Sequence, residues 1–130
     1  MYKFIPITDN IDRLQHLAKD ALNDNYRFVE RTIIQWHSNE NRFDKKGEIL
    51  YGIMDNGIFV GLGGLNRDPY TLEYVGRVRH VYINRAHRQH GLAKKLVLMI
   101  ISKAQKEFDT IRLSTNNGIA ERMYETLGFY

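Results

Sequence analysis

Between Arg85 and Lys95 the chain gathers Arg85, His87, Arg88, His90, Lys94 and Lys95 around a single glycine, Gly91. The segment follows a β-prone run containing Val78, Val81, Tyr82 and Ile83. It precedes an apolar run with Leu92, Leu96, Ile100 and Ala104 at spacing four, which is a helical period. The cations therefore stand at the start of a helix, where partial positive charge and unpaired N–H groups prefer anions. They repel one another unless something negative sits among them. Gly91 removes a side chain where a ligand approaches the backbone. Free amides, a helix dipole and basic side chains together describe a phosphate seat. A solvated basic turn ahead of a core helix accounts for the same residues, and charge and glycine alone do not choose between the two.

Composition narrows the function classes. A length of 130 residues implies one domain, 1–130, and a hydrophobic share of 43% is enough for a real core. No run of 18 apolar residues is present, so no membrane span is expected, and MYKFIPITDN lacks the apolar centre of a secretory signal. There is no cysteine, which removes disulfides, thiolate metal sites and a cysteine nucleophile and points to a cytoplasmic protein. No metal-ligand cluster of His, Asp and Glu stands out, and no metal is expected. The net charge of +4 is spread over the chain except at the turn above. A nucleic-acid surface calls for a wider basic stripe, so a local anion site is the preferred reading.

The elements that must position the turn follow from periodicity and breakers. Tyr2 to Ile7 reads as a first strand, and Asp9 or Asn10 can cap a helix carrying Ile11, Leu14, Leu17, Ala18, Ala21 and Leu22. Asn23-Asp24-Asn25 breaks it, and a second helix runs from Tyr26 to about Ser38. Its aromatic residues read as core, with a pocket lining as the minority reading. Ser38 to Gly47 is a loop. Its acidic residues Glu40 and Asp44, with Glu48 just beyond, read as a solvated surface rather than as an attractor for a cationic amine. Glu48 to Met54 and Ile58 to Leu65 form a hairpin around Asp55-Asn56-Gly57, because Asn-Gly suits the positive φ such turns need. Gly61, Gly63 and Gly64 do not fit a dinucleotide fingerprint and read as strand glycines that admit close packing. Asn66 to Thr71 is a turn, and Leu72 to Ile83 a fourth strand. The central helix runs to about Phe108, Thr110 to Thr115 is a fifth strand, and a last helix starts after Asn116-Asn117-Gly118 and stops at Gly128. The order predicts a mixed α/β fold around a mostly antiparallel sheet with a parallel pair at its end.

Two segments carry a resemblance. Arg88-Gln89-His90-Gly91-Leu92-Ala93 fits [QR]-x-x-G-x-[GA]. Asn117 to Tyr124, followed by Leu127-Gly128-Phe129, fits N-x-x-A-x-x-x-Y-x-x-x-G-F. In this order, separated by one helix and one strand, they resemble the GCN5-related N-acetyltransferase (GNAT) family, and the element order agrees over essentially the whole chain. The resemblance implies acetyl-CoA as donor and an acceptor amine on a small molecule or peptide. It implies a diphosphate held by the backbone of Gln89, His90, Gly91, Leu92, Ala93 and Lys94 and by the Arg88 side chain. It also implies a fourth strand that bulges and splays from the fifth. Val81, Tyr82 and Ile83 would then pair with the pantetheine amides, and a nearby N–H would face the thioester oxygen. Asn117 corresponds to a cofactor-contacting asparagine and reads equally as a helix N-cap. Tyr124 corresponds to the phenol that protonates the leaving thiolate and reads otherwise as a core tyrosine.

The sequence departs from that pattern in two places. Where the family often carries a glutamate base in the fourth strand, this chain has Arg77, which accepts no proton at neutral pH. Glu73 shares the side-chain parity of that position if no bulge intervenes. His80 is the other choice, with an intrinsic pKa suited to the task but on the opposite face. The family continues past the G-F pair into a sixth and a seventh strand, whereas this sequence stops at Tyr130. Those strands are expected to be missing and their sheet edge uncovered: either the sequence is a fragment, or another subunit covers the edge, as in a homodimer. A non-catalytic acyl-CoA-binding or regulatory module is the rival expectation.

Overall fold

In the computed structural model the described residues are 1–69 and 74–113. Strand β1 (Tyr2–Pro6) is followed by a 3-10 turn (Ile11–Leu14), helix α1 (Gln15–Asn23) and helix α2 (Phe28–His37). Strands β2 (Ile49–Asp55), β3 (Ile58–Arg67) and β4 (Val75–Ile83) come next, then a 3-10 turn (Arg85–His87), helix α3 (Leu92–Gln105) and strand β5 (Thr110–Leu113). The sheet order is β1-β2-β3-β4-β5, antiparallel throughout except for the parallel pair β4/β5. This is the mixed α/β architecture that the element order predicts.

Two apolar layers sandwich the sheet. On one face α3 buries Leu92, Leu96, Val97, Ile100, Ile101 and Ala104 against Leu65, Val78, Val81 and Ile83. On the other, α1 and α2 bury Leu17, Ala21, Val29, Ile33 and Trp36 against Leu50, Leu62 and Tyr82. The strand glycines let both layers approach. A Cβ on Gly63 would lie 2.8 Å from Leu96 Cδ2, and one on Gly64 would lie 2.5 Å from Phe43 Cε1. These residues lie within β3 and pack closely against their neighbours, as the sequence suggests.

Several boundaries move, each for a local reason. Neither Asp9 nor Asn10 caps α1 through its side chain. Asn10 sits in the left-handed region at φ 53°, and its carbonyl accepts from Arg13 N–H at 3.1 Å to start the 3-10 turn. Helix α2 begins at Phe28 rather than Tyr26, because Asn25 reverses the chain at φ 66° and Tyr26 N–H donates back to the Ala21 carbonyl. Strand β3 continues through Asn66 and Arg67, which pair with Arg77 and Gly76 where a turn was expected. Among the described residues strand β4 begins at Val75, with Tyr74 outside it. Residues 70–73 and 114–130 lie outside the described residues, and with them the expected last helix and the end of the fifth strand. Among the described residues no helix is long and apolar enough to cross a membrane.

Candidate active site

The site is built where β4 ends and α3 begins. After β4, Asn84 caps the 3-10 turn by accepting from Ala86 N–H at 2.9 Å. Two residues then take positive φ, Gln89 at 69° and Gly91 at 71°. The left-handed backbone at Gly91 suits a residue without Cβ, and no protein atom lies within 4 Å of where that Cβ would be. Helix α3 starts immediately afterwards with no side-chain cap. From Gln89 through Lys94, no backbone N–H donates to any described residue. Leu92 is buried and Ala93 partly so, which leaves their amides as what they offer at this end, while Lys94 and Lys95 are exposed. Lys95 lies 4.9 Å from the Phe4 ring centroid. Uncapped amides at a helix start with cations around them can hold a diphosphate.

The basic side chains of the turn divide into two groups. Arg85 and Arg88 turn back to α1 and share the carboxylate of Asp24, Arg88 at 2.5 Å. Arg88 also donates from Nε to the Ile83 carbonyl at 3.0 Å and lies over the Tyr82 ring at 5.6 Å. Burial raises the Asp24 carboxyl, but the hydrogen bonds and charges of the two arginines outweigh it and hold it below the usual carboxylate range. The Arg88 side chain is therefore engaged within the protein rather than turned to an anion, contrary to the sequence expectation. The same contact occupies the Ile83 carbonyl, one of the strand-edge groups expected to meet pantetheine. His87 takes the other direction, with Nδ1 3.0 Å from Tyr2 Oη, and His90 stacks obliquely near the same ring at 6.0 Å.

The bulge expected in the fourth strand is present. From Leu62 to Gly64 on β3 the partners on β4 step from Tyr82 to Arg79, which leaves one extra residue on β4. His80 sits there with φ 63°. The bulge reverses side-chain parity. Val78 and Val81 face α3, whereas His80 and Tyr82 face α2. On the other side of β4 the register with β5 runs from Val75↔Thr110 to Val78↔Leu113, where the described part of β5 ends.

His80 is buried between the rings of Phe28 and Phe43, at 5.7 and 6.1 Å. Its Nδ1 lies 2.6 Å from Thr32 Oγ1, whose single proton goes to the Phe28 carbonyl at 2.7 Å. The hydroxyl must then accept from the imidazole, so Nδ1 carries the proton and Nε2 the lone pair. Burial and then the Arg79 charge push the imidazole down, the Phe28 carbonyl pulls it up, and Arg31 and Arg77 push it down further, to about 3. The intrinsic basicity that recommends His80 from sequence is thus lost in the fold. Tyr82 is buried in the same layer, with Tyr26 and Phe28 at 6.0 and 6.1 Å. Burial, followed by the Asp24 charge, raises its phenol to about 12.

Of the residues singled out from sequence, Val81, Tyr82, Ile83 and the Arg88–Lys94 run come together at one end of β4. Glu73, Asn117 and Tyr124 lie outside the described residues. Sequence reasoning missed Asp24 and Thr32. Asp24 reads only as part of a helix break, and Thr32 only as a helix residue. Their pairings cross 61 and 48 positions of chain and leave no local signal.

Comparison with known proteins bears on the family and the fold. A model of the acetyltransferase (GNAT) family matches residues 11–129, and the chain belongs to that family. It is similar to N-alpha-acetyltransferase 30 of Saccharomyces cerevisiae, with 34% identity over 91 residues that make up 63% of this chain and 52% of the relative. The chain spans about half the length of that curated relative. A candidate acetyltransferase from Exiguobacterium sp. 255-15 superposes with a TM-score of 0.87 at 22% identity, covering 100% of this chain and 85% of that one. A predicted acetyltransferase with acetyl-CoA from Clostridium acetobutylicum gives a TM-score of 0.70 at 12% identity, covering 100% and 90%. At these identities the two structural likenesses are likenesses of fold.

Proposed function

We propose that the chain is an acetyl-CoA-dependent N-acetyltransferase that passes an acetyl group directly to a primary amine. The observation that carries this reading is the uncapped amide run from Gln89 through Lys94 at the head of α3. It suits a diphosphate by number, direction and dipole. The GNAT complex with acetyl-CoA supports the choice of donor. Acetyl-CoA supplies a thioester whose C–S bond breaks as the amine nitrogen bonds to the carbonyl carbon. Residues Gln89 to Lys94 hold the diphosphate, and Asp24 keeps Arg85 and Arg88 folded back so that the turn keeps its shape. Backbone at Val81 and Tyr82, beside the bulge, meets the pantetheine arm and faces an N–H towards the negative charge developing on the thioester oxygen. Asn117 contacts the donor, and the Tyr124 phenol delivers a proton to the departing thiolate. Arg77 cannot take the amine's proton, and His80 at about 3 holds one too weakly. Either Glu73 or water removes it.

Thiol release from acetyl-CoA against an amine panel tests the reading, with wild type beside Tyr124→Phe. Turnover that falls at least tenfold in the variant is expected. Equal rates remove Tyr124 from the mechanism. A second reading, a non-catalytic acyl-CoA-binding module, draws on the arginine at the base position and the weakly basic His80. CoA binding with no turnover on any amine selects it.

A further inference from the structure

Strand β4 carries a second concentration of positive charge, at the end away from the diphosphate seat. Arg77 and its cross-strand partner Asn66 lie on the sheet face opposite α3, and the partner of Arg77 on β5 is Arg112. Neighbouring strands lie about 4.8 Å apart, so two guanidinium side chains start side by side on one face and repel. Helix α2 adds Arg31, next to Thr32, which holds His80 at 2.6 Å. The charges of Arg79, Arg31 and Arg77 each lower the His80 imidazole. Among the described residues two carboxylates, Asp68 and Glu48, lie near these arginines. Asp68 meets Arg112 at 3.3 Å. The Glu48 carboxylate accepts from the Asn66 side chain and from Arg67 and Lys45 N–H. Arg79 is itself engaged. Arg77 and Arg31 make no ion pair with any described residue.

This excess does not belong to the donor. From Arg77 to Ile83 the strand runs roughly 20 Å at about 3.3 Å per residue, and the diphosphate seat lies beyond Ile83. The bulge, where the thioester is placed, falls between the two cationic ends. The acceptor would approach the bulge from the arginine side.

We infer that the acceptor is an amine carrying its own anionic group, a carboxylate or a phosphate a few bonds from the nitrogen, seated by Arg77 and Arg31 beside His80. The inference rests on the acetyltransferase reading above. An anion between Arg77 and Arg31 offsets their charge and fixes the acceptor's far end, which leaves the nitrogen directed towards the bulge. A cationic or neutral amine gains nothing from these groups.

Thiol release with acetyl-CoA and β-alanine, O-phosphoethanolamine, ethanolamine or propylamine tests it, and the first two separate carboxylate from phosphate. The expected kcat/KM is at least tenfold higher for one anionic amine than for the neutral pair. Arg77→Met should lower that ratio at least tenfold, while CoA affinity by calorimetry stays that of wild type. Arg31→Gln, on the exposed surface of α2, should lower the ratio severalfold and serves if the Met variant does not fold. Neutral amines preferred or equal, or a ratio untouched by both variants, overturns the inference. If no amine turns over, calorimetry of the two anionic amines with the CoA-saturated protein decides. Binding weakened at least tenfold by Arg31→Gln upholds the anion site while the catalytic reading fails. No binding overturns the site as well.

Discussion

Replacing His80 with asparagine changes how stability responds to pH, and the size of the change follows from the burial of the ring. In the fold the imidazole stays neutral down to about 3, whereas in the unfolded chain it titrates near its ordinary value of about 6.5. Between those two values the unfolded state binds a proton that the folded state refuses. Stability therefore falls as pH falls through that window. One proton is worth about 1.4 kcal/mol per pH unit, so from about pH 7.5 to about pH 5 the wild type loses about 2 kcal/mol through this group alone. Asparagine tolerates the left-handed backbone at this position, and its amide can donate to Thr32 as Nδ1 does.

The smaller side chain leaves a void between Phe28 and Phe43 and lowers stability by about 1–3 kcal/mol at every pH. That offset is constant and cancels when slopes are compared. Urea unfolding of both proteins across the same pH range gives the comparison. The other four histidines and the carboxylates are common to both proteins, so they cancel too. The difference between wild type and variant should shrink by about 2 kcal/mol on going to the acid end. Parallel profiles would refute the reasoning, because they would mean that the buried ring takes up its proton as readily folded as unfolded.

Three further outcomes follow from the same coordinates. Gly91→Asn and Gly91→Asp have the same shape and both tolerate positive φ, so their difference isolates charge. Calorimetry should show CoA binding at least about tenfold weaker for the Asp variant, about 1.4 kcal/mol. Asp24→Asn should cost about 1–2 kcal/mol at neutral pH through the loss of its charged bond with Arg88. Because the Asp24 carboxyl titrates below its ordinary value, that stabilisation is present above about pH 4 and lost as pH falls through the folded pKa, so the two proteins should converge in acid. Gly64→Ala puts a methyl group into Phe43 Cε1 at 2.5 Å. It should cost about 1–3 kcal/mol by thermal or urea unfolding, with part returned by Phe43→Leu.

The elements that place the site were largely legible because they are written in local patterns. The four-residue spacing from Leu92 to Ala104, the Asn56-Gly57 turn and the β-prone runs each predict an element that the structure contains. The uncapped helix start after a glycine was legible for the same reason, since both lie within a few residues of one another. What was not legible is long-range. Nothing near Asp24 announces that it gathers Arg85 and Arg88.

The extra residue at His80 is the sharper case. Strict alternation along β4 puts Val78 and His80 on one face and Arg77 and Val81 on the other. One inserted residue reverses this beyond Arg79, so that Val81 joins Val78 under α3 and His80 joins Arg77 on the α2 face. The reversal sets His80 on the face that carries Arg77, against Thr32 and beside its sequence neighbour Arg31. It also strips that imidazole of its basicity. An anion in the same place would raise it again, since a negative charge within a few ångströms favours the protonated ring. An acceptor that brings its own carboxylate or phosphate would then both occupy the arginines and restore to His80 part of the proton affinity that burial removes.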